Sequence, residues 1–174
     1  TPSTDSGYTA IALGGFGFLA LRADGSIEDF GDNSDKPTDS GYIAIAVVGG
    51  RQRSRTGPGE LVRGSLALKA DGTIVAWGCD DGGLGRLLPV CNPPTDSGHV
   101  AISASVDHGL ALKVDGSIVC WPNPVNPGQG PCTSTPEDSG YVAISAGDGY
   151  SLALKADGSI VAWQENNGQA QVYP

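Results

Sequence analysis

Of the 174 residues, 27 are Gly and 12 are Pro, and the longest stretch free of both is residues 99–108. That is shorter than an average helix of about 11–12 residues, so a helical or α/β domain is excluded. A hydrophobic fraction of 39% and a mean hydropathy of −0.10 exclude a disordered chain, and no run of about 18 apolar residues is present to span a membrane. Nineteen acids against ten bases give a net charge of −9, which repels phosphate backbones and anionic lipid and speaks against nucleic-acid binding.

Read in chain order, the sequence repeats itself four times. Thr4-Asp-Ser-Gly-Tyr8 returns at 38–42, at 95–99 with His99 in the last place, and at 137–141 with Glu137 in the first. A β-prone stretch follows each copy, beginning at Ala10, Ala44, Ala101 and Ala143. A second, Leu-Ala-Leu-Arg/Lys-x-Asp-Gly, begins at Leu19, Leu66, Leu110 and Leu152. A third runs Ile27–Phe30, Ile74–Trp77, Ile118–Trp121 and Ile160–Trp163. The repeats cover about 1–36, 37–93, 94–135 and 136–174 of a single domain.

One copy reads as a small antiparallel sheet. Asp-Gly between the second and third strands predicts a hairpin with a two-residue type I′ turn, which needs positive φ at both central residues. In the third strand Ile and Ala share one face while Val and Trp share the other. Both faces are apolar, so each sheet must lie between neighbours, and the tryptophans are expected in the core between sheets.

The pattern complete at 143–163, together with a closing segment at 167–174, resembles the repeat of the RCC1 family. It is most similar to bacterial RCC1-like propellers, some of which inhibit β-lactamase. The resemblance implies an all-β fold, a β-propeller of four RCC1-like blades with a degenerate first blade, and implies no particular activity. Family members usually close seven blades. Four blades can close alone, pair with a second copy or belong to a longer array. Thr1 and Tyr173-Pro174 fall at repeat boundaries, so closure is expected to rely on face packing rather than strand exchange. In the first repeat, Glu28 and Asp29 replace apolar residues, which predicts a polar capping face turned to water or to a basic partner. The last repeat keeps an apolar face. One polar and one apolar end suit a head-to-tail contact.

Residues 50–64 form an insertion in the second repeat, read as a loop. Arg51, Arg53, Arg55 and Arg63 stand against a single acid, Glu60. As a docking arm, these arginines would pair with carboxylates, including the Glu28/Asp29 region of another copy, with Leu61 and Val62 as apolar anchors. Cys79, Cys91, Cys120 and Cys132 allow three pairings; local closure, 79 with 91 and 120 with 132, is geometrically the cheapest. Zinc usually wants closer ligand pairs. Disulfides, and a chain that starts at Thr1 and contains no Met, predict an extracellular or cell-surface location.

The sequence carries no sign of catalytic chemistry. His99 holds a repeat position occupied elsewhere by Tyr, and is read as structural. His108 with Ser103 or Ser105 lacks the strand-turn-helix setting of a serine nucleophile. The acidic groups at 32–35 and 80–81 lack the spacing of a calcium loop. No metal or cofactor is expected, and the Ser/Thr/Pro stretches at 1–4 and 133–136 are read as turns. The expected function is a secreted, non-enzymatic structural and protein-interaction propeller, self-assembling by head-to-tail contact as a subunit of an extracellular filament or surface structure. The alternative is a propeller that captures a soluble target, as an enzyme inhibitor or a glycan-binding lectin, through rim aromatics Tyr8, Tyr42, Tyr141 and Tyr150.

Overall fold

The computed structural model describes residues 6–14, 17–31, 35–52, 60–79, 91–122, 130–164 and 171–173, with the backbone alone at 50–52, 60–62, 122 and 171–172. Each repeat forms one antiparallel sheet. Blade 1 is β1 (Tyr8–Gly14), β2 (Gly17–Arg22) and β3 (Ile27–Asp29). Blade 2 is β4 (Tyr42–Gln52), β5 (Glu60–Lys69) and β6 (Ile74–Trp77). Blade 3 is β7 (His99–Ala104), β8 (His108–Lys113) and β9 (Ile118–Pro122). Blade 4 is β10 (Tyr141–Ala146), β11 (Tyr150–Lys155), β12 (Ile160–Gln164) and β13 (Gln171–Tyr173), the last pairing with β12 as a fourth strand. A 3₁₀ turn spans Pro131–Ser134.

The turn after the second strand differs from the type I′ expectation. In every blade the flanking residues pair as Arg22 N–H to Ser26 O, and the glycine N–H donates to the carbonyl three residues earlier, as Gly25 to Arg22. This is a three-residue loop ending in a left-handed glycine, φ +78° at Gly25, and not a two-residue loop. The aspartate acts through its side chain: Asp24 accepts the Ser26 backbone N–H and hydroxyl, and Asp71, Asp115 and Asp157 repeat the arrangement with Thr73, Ser117 and Ser159. The side-chain bond from Ser or Thr comes first among the causes that lower these carboxyl pKa values.

Consecutive blades meet in three seams, each joining two different faces. Blade 2 turns Leu66, Leu68, Ile74 and Ala76 toward blade 3, which answers with Ile102, Ala111, Val119 and Trp121. Leu19, Leu21 and Ile27 of blade 1 meet Ile45, Ala67, Val75 and Trp77 of blade 2 in the same way. Leu110, Leu112 and Ile118 of blade 3 meet Ile144, Ala153, Val161 and Trp163 of blade 4. Strand alternation sends neighbouring residues to opposite seams, so one strand serves both. The tryptophans are core, as their repeat positions predicted.

The same turn glycines lock each seam at its edge. The N–H groups of Tyr42, His99 and Tyr141 donate to the carbonyls of Gly25, Gly72 and Gly116 in the preceding blade. A Cβ on Gly25 would stand 2.6 Å from Gly41 N, and one on Gly116 would stand 2.7 Å from Gly140 N, so the approach itself requires glycine.

Both disulfides form as local closure predicted, Cys79 to Cys91 and Cys120 to Cys132, with Cα separations of 5.9 and 5.3 Å. Cys79 lies just past β6 and Cys120 lies within β9, and each is tied to a cysteine in the segment leading to the next blade.

Leu66→Ala and Leu110→Ala, at wholly buried seam positions, are expected to lose about 2–5 kcal/mol each in urea unfolding. Val114→Ala, on an exposed turn, should lose less than about 0.5 kcal/mol. Equal losses would show that the seams are not the stabilising contacts.

Candidate interaction surfaces

The Asp-Ser-Gly-Tyr motif orders the rim. In blade 2 Asp39 accepts the Tyr42 hydroxyl at 2.7 Å and Lys69 Nζ at 2.5 Å; in blade 4 Asp138 does the same with Tyr141 and Lys155. Lysine first, then tyrosine, pulls these carboxyls below their ordinary value, and Lys113 does so for Asp96. Burial, and then the carboxylate, raises the phenols of Tyr42 and Tyr141. Both tyrosines are buried, so two of the four rim aromatics expected to capture a target are part of the scaffold instead. His99 is also buried; its Nδ1–H donates to Gly72 O at 2.8 Å in the preceding blade.

The two acids of the first repeat separate by strand alternation. Asp29 faces blade 2, where its carboxylate accepts the Trp77 indole N–H at 3.1 Å and the Gly31 N–H. The equivalent positions in blades 2 and 3 are Ala76 and Cys120, and the following indoles, Trp121 and Trp163, have no hydrogen-bond partner among the described residues. Asp29 therefore reaches into a seam. Glu28 points the other way and is held by Arg22 and the Tyr8 hydroxyl of its own blade. The outer face of blade 1 is consequently not the polar cap expected. Ile11 and Leu13 are each 82% exposed on it, beside stacked Phe18 and Phe30 with ring centroids 4.4 Å apart.

At the other end, blade 4 turns the leucine type of face outward: Leu152, Leu154 and Ile160 are exposed, with Tyr150 at the edge. The two ends thus carry the two unlike halves of a seam. Sequence reasoning anticipated the apolar last repeat but missed Ile11 and Leu13; both align with residues that fill the other seams (Ile45 and Val47, Ile144 and Ala146).

The arginine-rich insertion is a hairpin extension rather than a loop at both its ends. β4 and β5 stay paired through Arg51↔Leu61 and Gln52↔Glu60, whereas β7 and β8 are six residues each. Arg63 lies half-buried on β5 opposite Gly49. Arg53 and Arg55, and the side chains of Arg51, Leu61 and Val62, lie outside the described residues.

A Ser-His-Asp arrangement exists, with a serine that the sequence did not suggest. Asp107 accepts His108 Nδ1–H at 2.7 Å, which leaves Nε2 to accept the Ser151 hydroxyl at 2.6 Å from blade 4. Ser105 donates to the same Asp107 oxygen, and the other oxygen accepts Gly149 N–H at 3.0 Å. Burial works to raise the Asp107 carboxyl, but the bonds from His108 and Ser105 outweigh it and lower it. His108 and Ser151 are both completely buried, so the group pins blade 4 to blade 3. Ser103, the other serine considered, accepts Ala146 N–H across the same seam. Among the described residues no group of three metal-ligating side chains occurs, and no helix is long and apolar enough to cross a membrane.

Four small antiparallel sheets packed face to face, each from one Leu-Ala-Leu/Asp-Gly repeat closing on Phe or Trp, have the fold of an RCC1-like β-propeller. No family model and no curated protein matches the chain. Among solved structures, the chain is similar to the CRINKLY WD40 ectodomain of the Arabidopsis thaliana receptor kinase ACR4, with 20% identity, a TM-score of 0.63, and coverage of 96% of this chain and 52% of that one. It is also similar to Prp20p from Saccharomyces cerevisiae, described with its binding to Gsp1p and histones, with 20% identity, a TM-score of 0.62, and coverage of 90% and 44%. The yeast RCC1 (Prp20) bound to Kap60 matches at 19% identity, TM-score 0.55, covering 90% and 43%. The chain spans about half the length of these solved chains. The likeness to bacterial inhibitor propellers rests on the repeat pattern alone.

Two tests follow from this geometry. Ser151→Ala and Asp29→Ala orphan His108 Nε2 and the Trp77 indole, and each is expected to lower unfolding free energy by about 1–3 kcal/mol; no change in urea unfolding would deny these bonds a structural role. Asp39, Asp96 and Asp138 have folded pKa values below the ordinary 3.8. Their contribution is therefore complete above that value and is lost as pH falls through the lower folded value. Asp96→Asn with Asp138→Asn should flatten the acid limb of thermal stability below pH 3.8 and leave its shape near neutrality unchanged.

Proposed function

We propose that the chain is a secreted, non-enzymatic protein-interaction propeller that associates with copies of itself head to tail, the outer face of blade 4 packing on the outer face of blade 1. The carrying observation is that the two ends expose the two complementary halves of a seam that is filled three times within the chain. Large exposed apolar faces on a folded domain mark contact surfaces. Unlike faces on one molecule give a heterologous contact. The Prp20 structures, with protein partners on the same fold, support protein recognition as the task. The disulfides support an oxidising compartment, and burial of His108 and Ser151 supports a structural reading of that group. The paired strands carrying Arg51 and Leu61 suit an accessory arm for acidic partners.

Ile11→Glu and Leu152→Glu should each abolish self-association in sedimentation at micromolar concentration, with melting of the isolated chain little changed. Mixing the two variants should recover a pair, because each keeps one intact face. A chain that sediments at 17.6 kDa in every sample would overturn self-association. Pairing that survives both substitutions would overturn these faces.

A further inference from the structure

We infer that head-to-tail association stops at two copies, closing an eight-bladed ring whose joining seams are aromatic; this rests on the self-association proposed above. The four blades follow the course of solved propeller chains about twice as long, over 90–96% of this chain. Propellers typically close about four to eight blades around a central channel; this four-bladed chain leaves both end faces open, and two copies bring the blades to eight. A heterologous contact closes when its rotation completes a turn and polymerises when it does not. Two four-bladed copies reach the largest number of blades that such rings typically hold, so the turn closes at two.

The ends carry the parts that the internal seams use. Residues 7 and 8 hold in blade 1 the place that 41–42, 98–99 and 140–141 hold in the other blades. Gly25, Gly72 and Gly116 each press on that place in the following blade, whereas the space beside Gly158 is open, with nothing within 4 Å of a Cβ built there. Gly158 of one copy would therefore dock at residues 7 and 8 of the other. Leu152, Leu154 and Ile160 would cover Ile11 and Leu13.

The polar pin of the blade 3–4 seam is replaced in this joint. Tyr150 stands at the repeat position of His108, and Phe18 stands at that of Ser151. Tyr150 is 50% exposed, and Phe18 is stacked on Phe30 at the opposite end. Closure places the Tyr150 ring against the Phe18–Phe30 pair, an apolar contact suited to offset or edge-on aromatic packing. Glu28 enters the joint already held by Arg22 and the Tyr8 hydroxyl, so no bare charge is buried.

Mass measurement of the 174-residue chain from nanomolar to high micromolar concentration decides between the states. The ring predicts one product at 35.2 kDa, twice the 17.6 kDa chain, with no larger species as concentration rises. A ladder of trimers and longer products would overturn the ring while leaving head-to-tail association standing. A monomer throughout would overturn both. Tyr150→Ala and Phe18→Ala should each weaken pairing by at least about tenfold, and Tyr150→Phe should pair within about twofold of the parent because the contact uses the ring. A dimer indifferent to Tyr150→Ala and Phe18→Ala would overturn the aromatic joint.

Discussion

A three- or four-stranded sheet with two apolar faces cannot rest in water, and the whole molecule follows from how that problem is solved between blades. The leucine face of one sheet packs on the Ile, Ala, Val and Trp face of the next, and three such seams hold nearly every buried apolar side chain. The motif residues make close approach possible. Aspartate shapes the turn through its side chain, glycine lets two backbones come within reach, and the rim Asp–Lys–Tyr groups hold the entering segments of blades 2 and 4. A linear stack of such units always leaves one face of each kind at its ends.

Polar groups inside these seams make them unlike one another. The first seam holds Asp29 on an indole, and the third holds the Ser151–His108–Asp107 chain. Misplacing either blade would bury a donor or acceptor without its partner, which costs more than the bond contributes. Buried polar pairs therefore select the order of blades, while the apolar area supplies the cohesion. On the end faces Phe18 and Tyr150 stand at the repeat positions of Ser151 and His108. That difference suits a contact made between separate molecules, where aromatic area contributes more readily than a buried polar bond.

Most of the architecture was legible because repetition exposes it. Four copies in register show which residues share a strand, a turn and a face, and two equal cysteine spacings indicate the pairings. The turn type was misread because Asp-Gly was assigned by its dipeptide habit, when the bonding of Arg22 with Ser26 shows a longer loop. The first blade was misread as a polar cap because Glu28 and Asp29 were counted together. Adjacent strand residues point oppositely, so one acid entered a seam and the other joined Arg22. Part of the arginine insertion was taken for a loop because its Gly and Pro content hides the strand pairing around it.

The amino-acid order alone determined the number of blades, the strands, the cysteine pairs and the residues bound for the interior, because each is encoded by local spacing and repeated chemistry. Only the tertiary structure decided which seam each polar group enters and which two faces remain open. Those depend on the direction in which a blade's side chains point relative to neighbours far away in sequence: Trp77 lies 48 residues from its acceptor, and Ser151 lies 43 from its histidine.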